Sequence, residues 1–76
     1  MEERQANQLV VCVDNDGYPA SLETRKIYVA LRDADAAKHG LLRVIDESGA
    51  DYLYPAALFC SIDLPPAIRK AVLAAA

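Results

Sequence analysis

Arg43-Val44-Ile45-Asp46-Glu47-Ser48-Gly49-Ala50-Asp51-Tyr52-Leu53-Tyr54-Pro55-Ala56-Ala57-Leu58-Phe59-Cys60-Ser61-Ile62 is the stretch whose reading decides the fold. Two apolar runs, one ending on Val44-Ile45 and one starting on Tyr52-Leu53-Tyr54, flank a cluster of Asp, Glu, Ser and Gly. β-branched and aromatic runs around such a cluster predict a hairpin with Gly49 near its tip. Pro55 has no N–H to give a neighbouring strand, so regular pairing is expected to end there. Ala56-Ala57-Leu58 can form one tight helical turn, and Phe59-Cys60-Ser61-Ile62 then reads as a short closing strand.

Working outward, Leu41 to Ile45 is a strand, and the segment before it changes periodicity. Asp33 can cap a one-turn helix near 34–39, Asp35 suits its positive end, and Lys38 and His39 suit the other. Gly40 supplies the left-handed exit. Arg25 to Leu31 alternates, with Ile27, Val29 and Leu31 on one face and Lys26, Tyr28 and Ala30 on the other. Leu9-Val10-Val11-Cys12-Val13 is a buried strand that stops at the turn cluster Asp14-Asn15-Asp16-Gly17. Residues 1–7 are a polar, flexible tail, and 8–76 form one small domain. Leu64-Pro65-Pro66 opens a C-terminal helix over 66–76, too short to persist unless it docks. The expected core is Leu9, Val11, Val13, Ile27, Val29, Leu31, Leu42, Val44, Leu53, Leu58, Phe59 and Ile62. A slip of one residue in either apolar-rich run would exchange its faces.

Composition narrows the function classes. The 76 residues carry 8 Lys+Arg against 11 Asp+Glu, a net charge of −3. Phosphate binding favours a basic excess, so this balance argues against nucleic acid and anionic membranes as partners. There is no run of apolar residues long enough to span a bilayer and no basic, apolar leader, which makes the cytoplasm the expected location. Cys12 and Cys60 are read as free thiols, and two Cys with one His in no paired spacing disfavour zinc. No cofactor is expected.

Four constellations bear on chemistry. Counting back from Gly17, Asp14, Asp16 and Glu23 fall on oxygen-ligand positions of a calcium loop, but Cys12 takes the first position and Pro19 the eighth, so an acidic turn is the plainer reading. His39 beside Asp33 and Asp35 has a sufficient role as a helix end, with no nucleophile near it in sequence. Asp46, Glu47 and Asp51 read as a solvated hairpin tip. The tyrosines Tyr28, Tyr52 and Tyr54 lie off the expected aliphatic faces of their strands. They either cover the sheet with their rings or form a contact surface, with Arg25 and Arg43 as rim charges.

Residues 43–63 resemble the distal hairpin, Pro-led turn and closing strand of a Src-homology-3-like small barrel. Over most of 9–64 the chain is also similar to a group of short bacterial proteins, through Lys26-Ile27-Tyr28, the Asp33-to-Gly40 link, Arg43 through Gly49 and Asp51-Tyr52-Leu53-Tyr54-Pro55. The resemblance implies a bacterial origin and a mainly β, partly open five-stranded barrel with a one-turn helix near 34–39 and a C-terminal helix, and it brings no activity with it. The competing architecture is a three- or four-stranded antiparallel sheet covered by the last helix. The chain departs from the family's signalling members in having no Trp, and Leu58 stands where their groove tyrosine would fall, which removes the basis for recognising proline-rich peptides. The expected function is therefore a non-enzymatic interaction or regulatory module working through Tyr28, Tyr52, Tyr54, Arg25 and Arg43, with a protein partner or a second copy of itself. The alternative is a nucleic-acid-binding barrel, which would need Arg25, Lys26, Arg32 and Arg43 on one face.

Overall fold

A computed structural model describes residues 8–75; the expected tail at 1–7 lies outside the described residues. Five antiparallel strands form one curled sheet: β1 (Gln8–Cys12), β2 (Ile27–Leu31), β3 (Leu41–Ile45), β4 (Asp51–Pro55) and β5 (Phe59–Ser61). Their spatial order is β4-β3-β2-β1-β5, so the first strand pairs with both the second and the last. Helix α1 (Ala34–Lys38) links β2 to β3, a 3-10 turn (Ala56–Leu58) links β4 to β5, and α2 (Pro66–Ala75) closes the described chain.

The local reasons are those of ordinary capping and turn chemistry. Asp33 has extended φ/ψ and its carboxylate accepts from Ala36 N–H, which starts α1. Gly40, at φ +71, lets the chain leave that helix and enter β3. Pro65 C=O accepts from Arg69 N–H, so Pro66 occupies the first helical position of α2, where a missing N–H costs nothing.

Directly paired residues share a face, and the register therefore defines two sides. On the concave side lie Val10 opposite Tyr28, Ala30 opposite Val44, Leu42 opposite Tyr54 and Cys12 opposite Phe59. These residues, with Leu22 from the long β1–β2 loop, form the core. On the convex side lie Leu9, Val29 and Ile45, and α2 reaches this side: Val72 and Ala75 share a recess of about 440 Å³ with Ile27, Val29 and Ile45. Leu9 and Val29 are buried there too.

Three readings of the sequence change. Of the alternate positions of β1 and β2 expected in the core, Leu9 and Val29 are buried as expected, but with Val11, Ile27 and Leu31 they lie on the convex side, and Val13, Ile27 and Leu53 are exposed. Tyr28 and Tyr54 are interior, at 5% and 4% exposure. Period two cannot choose a face when both faces of a strand are covered. Asp46, expected at a solvated tip, is buried. The second strand starts at Ile27, two residues later than expected, because Arg25 and Lys26 both stand opposite Cys12: Arg25 N–H donates to Cys12 C=O while Cys12 N–H donates to Lys26 C=O. This is a β-bulge, and Arg25 holds φ at +69, the left-handed value that glycine adopts freely.

Candidate interaction site: the tyrosines and the edge of the sheet

Two of the three tyrosines expected to form a contact surface are instead structural. The Tyr54 hydroxyl donates to Asp46 Oδ2 at 2.5 Å, and the other Asp46 oxygen accepts from Ser48 N–H and Ser48 Oγ. The Ser48 hydroxyl and then Tyr54 hold the Asp46 carboxyl below its ordinary range, while burial and then Asp46 push the Tyr54 phenol up. The Tyr28 hydroxyl donates to Glu47 Oε2 at 2.6 Å and accepts from Glu23 N–H at 2.7 Å. Burial raises the Tyr28 phenol as well, with Glu47 adding to it. Lys26 Nζ reaches the same Glu47 oxygen at 2.6 Å and is the main reason that the Glu47 carboxyl lies low.

The two phenols thus tie the 13–26 loop to the β3–β4 hairpin from inside. Glu47 N–H also donates to Ser21 C=O, and Leu22 inserts beside the rings with 1% exposure. Tyr18 from the loop stacks edge-on against Tyr54 with centroids 5.0 Å apart, and Phe59 packs on both Tyr28 and Tyr54. The hairpin acids and the loop leucine are what sequence reading missed. A tyrosine on each of two paired-strand runs, with acids in the adjoining turn, was the available signal for the first; Leu22, flanked by Ser and Glu, offered none.

The remaining residues separate. Tyr52 is 55% exposed on β4. Arg43 sits behind it on β3, with Nε on Asp33 at 2.9 Å and Nη1 on Asp51 at 3.0 Å, and these bonds hold its guanidinium more firmly charged. Arg25 is exposed in the bulge, at the far end of β2 from Arg43's partner Leu31. The structure therefore does not bring Tyr28, Tyr52, Tyr54, Arg25 and Arg43 onto one open face.

What is open is the β4 edge. Ala56 N–H donates to Gly40 C=O and Asp46 N–H to Ala50 C=O, which fixes the alternation between β3 and β4. Leu42/Tyr54 and Val44/Tyr52 are the hydrogen-bonded pairs. The N–H and C=O groups of Asp51 and Leu53, and the C=O of Pro55, consequently point away from the sheet. Leu53 is 42% exposed and adjoins Tyr52, so the same edge carries two large apolar side chains.

A second feature is an open cleft of about 690 Å³ between α1, β3 and the start of α2. Its apolar floor includes Leu9, Leu31 and Ile62, and its rim mixes Arg32, Arg43 and Arg69 with Asp33 and Asp63. Of the other candidates, the Asp14 carboxylate accepts from Asp16 N–H in a tight turn, and among the described residues no three His, Cys, Asp or Glu side chains are grouped to hold a metal ion. His39 caps α1 at its C-terminal end and its Nδ1 lies 3.0 Å from Asp35 C=O. Cys12 and Cys60 are both free thiols; Cys12 faces the concave core, where burial raises its thiol, and Cys60 is exposed opposite Val11. No helix of the described residues is long and apolar enough to cross a membrane.

No protein-family model, curated protein or solved structure matches this chain.

Proposed function

We propose that the protein is a small barrel of the Src-homology-3-like kind that acts as a cytoplasmic, non-enzymatic interaction module, and that its contact element is the β4 edge. The strand order, with β1 between β2 and β5, and the 3-10 turn before β5 support the barrel assignment. The observation that carries the function is the open β4 edge with Tyr52 and Leu53 exposed beside it. Unpaired strand edges template the addition of another extended chain, main-chain bonds giving affinity and flanking side chains giving selectivity. Natural sheets usually blunt such an edge with lysine or an inward charge. β4 has no lysine, its one charged residue, Asp51, is held by Arg43, and Pro55 blunts only its last position.

The nucleic-acid alternative draws less support. Of the four cations that would have to form a phosphate-binding face, Lys26 is engaged by Glu47 and Arg43 by two aspartates, so half of that face is already neutralised in pairs.

A photo-crosslinking amino acid placed at Tyr52 tests the reading in the producing cells, with the same group at exposed Thr24 as control. Adducts at 52 and not at 24 are expected; equal yields at the two positions, or none at 52, refute it.

A further inference from the structure

Resting on the reading of β4 as the contact edge, we infer that its occupant is a second copy of the chain, paired antiparallel through β4 with Leu53 on the two-fold axis. The hydrogen-bonding groups on the edge permit few registers. Outward N–H groups are available at Asp51 and Leu53 and outward C=O groups at Asp51, Leu53 and Pro55. With Leu53 opposite Leu53, the two leucines exchange a pair of bonds, and each Asp51 N–H reaches Pro55 C=O of the other copy. Every outward N–H is then satisfied, and Pro55, which has no N–H, falls where only an acceptor is required.

Charge selects this register from its neighbours. An axis at Asp51 would set two carboxylates directly opposite each other, which is unfavourable in a sheet. An axis at Tyr52 satisfies the same number of N–H groups but leaves the carboxylates two residues apart along the ladder, about 7 Å at the usual rise. The Leu53 axis separates them by four residues, about 14 Å, beyond the screening length of about 8 Å at physiological salt. An axis at Tyr54 leaves Asp51 N–H unpaired. The Leu53 register also places the exposed leucines against each other on the convex side and Tyr52 against Tyr54 of the other copy on the concave side.

One five-residue strand is a contact at the small end of specific interfaces, so the dimer is weak and forms in a concentration-dependent way. Sedimentation equilibrium of the full chain from micromolar to millimolar concentration should show the mass rising from 8.2 kDa toward twice that value. Leu53→Lys, which sets like charges on the axis, should stay at the monomer mass throughout, with an unchanged circular dichroism spectrum because Leu53 lies outside the core. In a Cys60→Ser background, Leu53→Cys should crosslink to a dimer on oxidation, since paired Cα atoms about 5.5 Å apart suit a disulfide. Tyr52→Cys in the same background should not. A wild type that stays monomeric at millimolar concentration, a dimer that survives Leu53→Lys, or crosslinking through Tyr52→Cys alone overturns the proposal. The mass of the photo-adduct at position 52 separates the two levels. An adduct to a different protein together with a monomeric wild type refutes self-pairing and keeps the contact edge; no adduct refutes both.

Discussion

Replacing Tyr54 by Phe should destabilise the fold by about 2 kcal/mol, the usual cost of removing a hydrogen bond to a charged group. The substitution leaves the ring, and so keeps the contacts with Tyr18 and Phe59. It removes one hydroxyl, whose loss strips Asp46 Oδ2 of its donor in a buried site and also ends the bond with the Ser21 side chain. A domain of this size moves its midpoint by about 4–8 °C per kcal/mol, so thermal unfolding followed by circular dichroism should fall by about 8–16 °C at pH 7. The acid limb adds a second reading. Folding lowers the Asp46 pKa, so its contribution is fully present above the ordinary carboxylate value of about 3.9 and is lost as pH falls through the lower folded value. The gap between wild type and Tyr54→Phe should therefore be widest near neutrality and close as the solution is made more acidic. Asp46→Asn on top of Tyr54→Phe should cost much less than Asp46→Asn alone. A drop under about 0.5 kcal/mol, within the range of surface substitutions, would refute the claim that this hydroxyl anchors the hairpin.

Leu22→Ala should cost about 3 kcal/mol by urea titration, within the range for truncating a fully buried leucine, although the residue belongs to no strand or helix. Arg25→Gly should raise stability by about 0.5–1 kcal/mol, since the relief of a left-handed φ outweighs the extra freedom of glycine in the unfolded chain; a lower melting midpoint would show that the Arg25 side chain matters more than its backbone. Tyr28 and Tyr54 have raised pKa values when folded, so their contribution is complete below the ordinary tyrosine value of about 10 and is lost as pH rises through the folded values. Tyr28→Phe should accordingly show a shallower loss of midpoint above about pH 10 than wild type, and an identical alkaline limb would count against its burial as a protonated phenol.

Element type was legible in the sequence because turn chemistry is local. Asp33, Gly40, Gly49, Pro55 and Pro66 each act within a few residues of themselves, and the observed strands and helices follow them closely. The choice of face was not legible, because it depends on what covers each side of the sheet. Leu9 to Val13 is apolar at every position, and both faces carry a buried residue, Val10 and Cys12 in the core and Leu9 on the other side. Tyrosine deepened the ambiguity: the same side chain can cover a surface with its tip in water or enter a core when a carboxylate waits for its hydroxyl. Here the carboxylates come from a hairpin eight residues from Tyr54 and nineteen from Tyr28, separations that no local pattern reports. The open edge was half legible. Tyr52 was marked as a surface residue, but the outward N–H groups of Asp51 and Leu53 emerge only once the pairing of β3 with β4 is known.

α2 has a consequence for how the molecule opens. None of its residues is fully buried, whereas the strands beneath it carry Leu9 and Val29, which are. The helix is thus held by partial contacts and in turn covers part of an apolar row, Val29 and Ile45. Its release leaves the concave core intact, because no α2 residue belongs to it. Two tiers of cooperativity are therefore the expected outcome, an inner unit that opens only on global unfolding and an outer helix that opens at lower free energy. Amide exchange would resolve them as separate classes. Such an opening would bare Val29 and Ile45 on the side opposite the tyrosine core, so the helix is what keeps that side of the sheet from presenting its apolar residues together.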